Sequence, residues 1–354
     1  MTLVLSIEEQ REILDMKSVL DALEILYREQ AVGRAVTRPR SDIIAPNQTG
    51  VYGLKTMDGV VPAFDVGAVR INSDVITWPK VGASKRRVKV PAAPGNRWVG
   101  LVLLFSVSNG EPLAIFPDGY VQRMRVGATS GLGAKFLARK DSKVLGLIGS
   151  GWQAGAQLLA ACEVREIEKV VVYSPTRENL LNFVEDMANQ VGVEVMAADS
   201  AEAVAAEADL VLCATNSIQP VFDGTLIRSG QHLGCIKNCE LDVNAFKRID
   251  RIVVHSQDTG PKHLVMEAAE SHGGDRGWDE SHGDIDWNGV PTLAQLVAGE
   301  AEGRQSSTEV TCFANNLGLG IQFAAVGAKL LQIAREKGAG HELPTEWFTQ
   351  TVHP

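Results

Sequence analysis

The stretch KVLGLIGSGWQAGAQLLAACE, residues 143–163, decides the fold. Its first seven residues form a short apolar run of strand length, and the rest has the composition of a helix. At the joint, Gly149-Ser150-Gly151-Trp152-Gln153-Ala154 fits the pattern G-x-G-x-x-G/A. The first glycine permits a tight turn, the second admits a pyrophosphate to the backbone, and a small third residue lets helix and strand pack closely. Free N–H groups and the dipole at the helix start favour phosphate oxygens there. All six residues are candidate dinucleotide contacts.

Downstream the same alternation repeats. KVVVYS (169–174), VEVMAA (193–198), DLVLCAT (209–215), HLGCI (232–236) and RIVVHS (251–256) read as buried strands, with helical segments such as TRENLLNFVEDMANQ between them. Strands apolar throughout and separated by helices predict a parallel sheet covered on both faces. Six strands make one doubly wound Rossmann unit, with Ala214 and Thr215 at its cofactor edge. The end of the second strand selects the cofactor, because an acidic residue there holds the ribose hydroxyls of NAD. Here stand Ser174, Pro175, Thr176 and Arg177, two hydroxyls and a guanidinium without a carboxylate. That set favours NADP(H) over NAD(H).

The first third has a different texture. Residues 7–33 read as one amphipathic helix capped by Ser6 or Ser18. Between 36 and 122, short apolar runs broken by Pro, Gly and Asn predict antiparallel sheet. Asn109-Gly110 predicts a type I′ hairpin, with positive φ at both residues. Residues 125–138 read as a small-residue helix that packs closely, and 316–337 as a terminal helix returning to the first domain. The fold class is therefore α/β: a Rossmann dinucleotide-binding domain (126–317) plus a discontinuous α+β substrate and dimerisation domain (1–125 and 318–354). The polar, Gly-rich stretch 271–290 is a loop or insertion.

Length and composition agree. A chain of 354 residues exceeds one core, and a net charge of −9 argues against a nucleic-acid or anionic-membrane surface. The Lys85-Arg86-Arg87 cluster with Lys89 reads as a solvated hairpin loop. Five scattered cysteines suit reduced thiols in a cytoplasmic protein, and no apolar run approaches membrane-spanning length. His232, Cys235 and Cys239 have a spacing that suggests zinc, but without a second pair they read as buried groups. His272, His282, Asp275, Asp284 and Asp286 read as a structural or disordered loop, with a metal site or a lid as the alternatives. In a lid, Trp278 or Trp287 would exclude water. His255 and His263 read as structural.

The segment GEPLAIFPDGYVQRMRVGATSGLGAKFLAR (110–139) followed by VLGLIGSGWQAGAQ resembles the ornithine cyclodeaminase/mu-crystallin family, and Pro39-Arg40 and Glu240-Leu241-Asp242 extend the likeness. The resemblance implies a homodimer joined through its substrate domains, and a substrate carboxylate held by Arg40 and Arg125. The family's active-site lysine aligns with Arg70, which stays charged and relays no proton readily. The family's acidic residue for the substrate amine is replaced by Lys237 and Asn238 in GCIKNCELD, and Gln322-Phe323 stands where relatives carry Gln-Asp. The catalytic candidates are Arg70 and Lys237; Arg40, Arg70 and Arg125 are the substrate-binding ones. The expected activity is an NAD(P)H-dependent imine (ketimine) reductase or amino-acid dehydrogenase acting on a small carboxylate-bearing imino or amino acid. Cyclodeamination with recycled NAD and mu-crystallin-like ligand binding are the alternatives.

Overall fold

The computed structural model describes residues 1–81, 84–85, 88–217, 219–257, 262–266 and 287–352, with backbone alone at 80, 81, 84 and 85. The second half forms a wholly parallel sheet, seven-stranded among the described residues. Its spatial order is Glu194–Ala197, Lys169–Tyr173, Val144–Ile148, Leu210–Cys213, His232–Cys235, Thr311–Ala314 and Arg251–Val254. Chain order reverses on either side of Val144–Ile148, the switch point at which such sheets bind ligands. The six expected strands are present. The seventh, Thr311–Ala314, slots between the last two. Four residues behind a polar run are too few for periodicity to register.

The other sheet, ten-stranded among the described residues, is mostly antiparallel and runs in its main path from Lys262–Val265 through Ser41–Asn47, Gly50–Val61, Val66–Thr77, Val99–Ser106, Pro112–Pro117 and Thr2–Val4 to His341–Leu343. The strand Lys262–Val265, from the far side of the Rossmann sheet in sequence, pairs in parallel with Ser41–Asn47. Alternation along Val66–Thr77 is strict. Ala68, Arg70, Asn72, Asp74 and Ile76 are buried on one face, while Val69, Ile71 and Val75 are only half-buried on the other. The helix Gly320–Lys337 lies across this sheet, the return expected of the terminal helix.

Two local expectations need correction. Residues 7–33 are two helices, Ile7–Ile13 and Met16–Ala31. Ser6 and Glu9 form a capping box on the first, and Asp15 caps the second by accepting from the Ser18 N–H at 2.7 Å. Ser18 is thus the recipient of a cap, and Asp15 was the signal for the break. The Asn109-Gly110 hairpin exists, but only Gly110 has positive φ, at 79°. Residues 107–110 form a longer loop, closed by Ser106 N–H to Glu111 O at 2.9 Å and Gly110 N–H to Ser106 O at 2.9 Å. This matches the longer hairpin class in which a single left-handed glycine restores register.

The small-residue helix spans Gly119–Leu137 and packs parallel to the helix Trp152–Val164. A Cβ at Gly127 would collide with the Ala156 carbonyl oxygen, and one at Gly131 would lie 2.8 Å from the Ala160 Cβ. Only near-absent side chains allow these axes so close. Among the described residues no helix is long and apolar enough to cross a membrane.

His232, at the start of its strand, is fully buried, with Nδ1 3.0 Å from Thr311 Oγ1 and Nε2 lacking a partner among the described residues. Thr311 sends its own proton to Leu137 O at 2.8 Å, so His232 is the Nδ1–H donor. Burial, helped by Arg304 and Arg165, lowers its pKa to about 3. The folded pKa lies below the unfolded value of about 6.5, so the contribution is complete above that pH and is lost as pH falls towards 3. Between pH 6.5 and 5 this one residue should remove about 2 kcal/mol of stability. Urea titrations of His232→Asn, which keeps a donor for Thr311, should show a correspondingly shallower loss over that interval. Parallel pH profiles would refute it.

Candidate functional site

The phosphate-binding turn is built from backbone requirements. Gly149 has φ of 114°, and a Cβ there would strike the Ala214 carbonyl. Only glycine meets both conditions. Its N–H donates to Tyr173 O at 2.8 Å, and Ala214 N–H donates to Ile148 O at 2.9 Å, which seats the turn at the end of three strands. Gly151 precedes the helix, and a Cβ there would meet nothing within 4 Å among the described residues. Ala154 is fully buried as the small third residue, and Gln153 Oε1 is buried without a partner among the described residues. The first N–H groups of the helix have no intrahelical acceptor. Donors, open space and an orphan amide oxygen fit a pyrophosphate and its sugar. Ser150 lies half-buried between the two glycines. Trp152 is 45% exposed, and its ring is stacked by Arg123 at 4.1 Å and Arg11 at 5.3 Å.

At the end of the second strand, Ser174 is half-buried and Thr176 stands at the N-cap of Arg177–Val191 without a side-chain cap bond. Arg177 reaches Asp199 at 3.3 Å, both well exposed. A carboxylate that the local sequence did not reveal therefore adjoins this position.

Glu240 organises the neighbouring strand ends. Wholly buried, it accepts from Thr215 N–H at 2.6 Å, Thr215 Oγ1 at 2.8 Å, Ile236 N–H at 2.9 Å and Lys237 N–H at 3.1 Å. Burial pushes its carboxyl pKa up against those donors. The Lys237 ammonium donates to Ser217 O at 3.1 Å on this edge; among the described residues no hydrogen bond joins it to the arginines. Cys239 Sγ also faces Ser217 O and the Cys235 thiol meets that of Cys312, whereas His232 serves Thr311, so the three zinc candidates face different partners. Trp287 packs edge-on against Phe246 at 5.6 Å. His272, His282, Asp275, Asp284, Asp286 and Trp278 lie outside the described residues, as do Arg86 and Arg87.

Arg70 and Arg125 flank the Phe323 ring, and Arg40 is near enough to act on Arg125 electrostatically. Arg40 forms a bidentate pair with Asp42 through Nε and Nη2, both at 2.8 Å, and His263 lies 3.5 Å from the same carboxylate. Arg70 Nε donates to Asp118 at 2.7 Å, and Asn72 donates to the same oxygen at 3.3 Å. Two residues along the same face, Asp74 joins Lys55 at 2.8 Å and Lys89 at 2.9 Å.

Arg125 is different. It is 5% exposed and donates to two neutral amides, Gln322 Oε1 from Nη1 at 2.9 Å and Gln122 Oε1 from Nη2 at 2.8 Å. Among the described residues no carboxylate forms an ion pair with it, Asp118 acting on it only from beyond contact distance, and its Nε is buried without an acceptor. The Phe323 ring lies between Arg125 (5.3 Å) and Arg70 (5.6 Å). Burial and then Arg70 lower the Arg125 pKa to about 9, which leaves the guanidinium charged at neutral pH.

Sequence reasoning missed the partners: Asp42, Asp118, Glu240, Gln122 and Gln322. Asp118 and Arg70 are 48 positions apart, and Gln322 and Arg125 are 197 apart. No local spacing encodes such pairs.

The chain is 28% identical over 347 residues to the Delta(1)-pyrroline-2-carboxylate reductase of Bacillus cereus, covering 96% of this chain and 99% of that one. It is 30% identical over 355 residues to an alanine dehydrogenase of Archaeoglobus fulgidus, covering 97% and 98%. Among solved structures, the Thermococcus litoralis Delta(1)-pyrroline-2-carboxylate reductase in complex with NADH and L-proline matches with a TM-score of 0.78 at 28% identity, over 97% of this chain and all of that one. The family model for the ornithine cyclodeaminase/mu-crystallin family matches residues 1–337, and the chain belongs to that family.

Proposed function

We propose that this protein is an NAD(P)H-dependent imine (ketimine) reductase or amino-acid dehydrogenase acting on a small carboxylate-bearing imino or amino acid. The observation that carries the reading is Arg125: a buried guanidinium whose charge no described carboxylate neutralises, on the helix packed against the one that opens at the phosphate turn. A planar fork of donors fits a carboxylate bidentately. The activities named for the two relatives above both concern small amino or imino acids, which supports the assignment.

The nicotinamide, when bound, supplies the hydride. Residues 149–154 with Ala214 and Thr215 would hold the dinucleotide, and Arg125 with Arg40 would hold the substrate carboxylate. Arg70, already tied to Asp118, orients the substrate and adds positive field. A protonated imine brings its own proton, so an arginine where relatives have lysine is compatible with reduction. Lys237 stands at the opposite, Rossmann edge of the site as the second candidate for contact with reactants. Replacing Arg125 by Lys should lower kcat/KM for the imino acid at least 100-fold by steady-state kinetics, and leave the dinucleotide dissociation constant within about twofold. A variant with unchanged kcat/KM would overturn the reading.

For the cofactor we favour NADP(H). Ser174, Thr176 and Arg177 can hold a 2′-phosphate, and the exposed Arg177–Asp199 contact is a weak tie for such an anion to displace. Arg177→Ala should weaken NADPH about tenfold while NADH changes little, as read by fluorescence titration; equal losses for both would exclude this role.

We also infer a homodimer in the cytoplasm, with 1–125 and 318–354 as the substrate and dimerisation domain and 126–317 as the Rossmann domain, from which the strand Lys262–Val265 crosses to the large sheet. The outer face of the large sheet supports the dimer. Val60, Leu101 and Val107 are exposed there, and a groove of about 640 Å³ is lined by Val36, Val60, Val69, Phe105 and Val107. An uncovered apolar face of this kind marks an association surface. Light scattering should find a dimer for the natural protein and a monomer for Val69→Asp; a monomeric natural protein would refute the assignment.

A further inference from the structure

Arg125 is held by a buried, fully neutral hydrogen-bond chain that draws on four separate elements. Tyr27 comes from the helix Met16–Ala31, Thr129 from the Arg125 helix itself, His255 from just beyond the strand Arg251–Val254, and Gln322 from the terminal helix. All four are essentially inaccessible to solvent. Gln322 Nε2 donates to Tyr27 Oη at 3.1 Å and to Thr129 Oγ1 at 2.7 Å. Its Oε1 accepts from Arg125 Nη1 and from Leu319 N–H, both at 2.9 Å.

Proton accounting fixes the directions. His255 Nδ1 faces the Leu317 carbonyl, an acceptor only, so Nδ1 carries the hydrogen and Nε2 must accept. The Tyr27 hydroxyl, 2.9 Å from that Nε2, therefore donates to it. The single Thr129 proton goes to Arg125 O at 2.7 Å or to Tyr27 Oη at 3.0 Å, and is spent in either case. Tyr27 and Thr129 have then spent their only protons, and each can receive one N–H of Gln322. The amide cannot flip without turning its NH2 onto Arg125 Nη1 and the Leu319 N–H, which are donors only. Burial keeps the chain neutral, lowering the His255 pKa to about 3 and raising the Tyr27 hydroxyl well beyond its usual range.

We propose that Gln322 is a positioning residue for substrate recognition: locked by Tyr27, Thr129 and His255, its amide oxygen aims the Arg125 guanidinium without neutralising it, so the charge is kept for the substrate's carboxylate. The idea rests on the reading of Arg125 given above. A carboxylate at 322 keeps the acceptor that aims Arg125 and cancels its charge, but it also turns a second oxygen on Tyr27 and Thr129 and so loosens the lock. Gln322→Met loosens the same lock and leaves Arg125 charged, so the comparison of the two variants isolates the charge.

The experiment uses the full chain with NADP+ or NADPH. Calorimetry measures binding of pyrrole-2-carboxylate, a planar and stable carboxylate probe, and kinetics measures imino-acid reduction. Gln322→Glu should weaken the probe and raise the imino-acid KM at least tenfold, with kcat changed less than threefold and dinucleotide affinity unchanged. Gln322→Met, which keeps the charge of Arg125 but removes its guide, should depress kcat more than it raises KM. If Gln322→Glu does not fold, Tyr27→Phe serves. It deletes the donor to His255 and an acceptor for Gln322, and should raise KM and the probe dissociation constant two- to fivefold. Wild-type values of both in whichever of these variants folds would overturn the proposal. A natural protein that binds the probe but never oxidises NADPH, with the probe weakened in Gln322→Glu, would sink the reductase reading and leave this proposal standing. A natural protein that binds no probe at all would sink both.

Discussion

The close, parallel contact between the helices Gly119–Leu137 and Trp152–Val164 is the constraint on which the rest depends. Gly127 faces Ala156, and Gly131 faces Ala160, so the two helices advance in step. Arg125 then stands level with the opening of the phosphate turn. Any side chain larger than glycine at 127 would lift one helix off the other and carry Arg125 away. The stripe of small residues is thus the element that joins the sheet bearing the phosphate turn to the pocket around Arg125. Burial of near-featureless helix faces supplies the packing energy, and the polar groups flanking them supply the chemistry.

Three guanidinium groups near one another are costly unless each is accounted for. Arg40 is matched by Asp42 and Arg70 by Asp118, in both cases on the inward face of the large sheet or at the helix start beside it. Those two pairs have little net charge. Arg125 alone is solvated by amides, so the field inside the pocket converges on one point. An apolar ligand would leave that charge buried and unanswered. For this reason the mu-crystallin-like alternative fits the pocket less well than an anionic substrate does.

Much of the Rossmann half was legible in the sequence because its signals are local. A five-residue apolar strand, a glycine turn and a helix follow one another without interruption, and the unit repeats. The failures came where the deciding interaction was not local or was too short to have a period. Thr311–Ala314 is a strand only because two finished strands leave a gap for it. Leu14-Asp15 breaks a pattern whose apolar spacing continues across it, and the cap chemistry of Asp15 was the better guide. At the site, the three arginines could be named from motif position alone. What each one does depends on acidic or amide partners: Asp42 and Gln122 stand two and three positions off, but Asp118 and Gln322 are 48 and 197 positions away, and those longer distances leave no trace in spacing.

The same partners bear on what kind of catalysis the pocket can perform. Arg70, held by Asp118, is a permanent cation and a poor proton donor. His255 titrates near 3 and Arg125 near 9, with Tyr27 higher still. Within this chain of groups nothing exchanges a proton near neutrality. A site so constituted gains rate by holding a substrate in line and by presenting a fixed field. Reduction of an already protonated imine asks for these two things. Cyclodeamination, in which an amine must lose and regain protons while ammonia departs, asks for a titrating group. The arginine at position 70 and the neutral chain behind Arg125 thus bear on the choice between the two reactions from different sides, and both favour reduction.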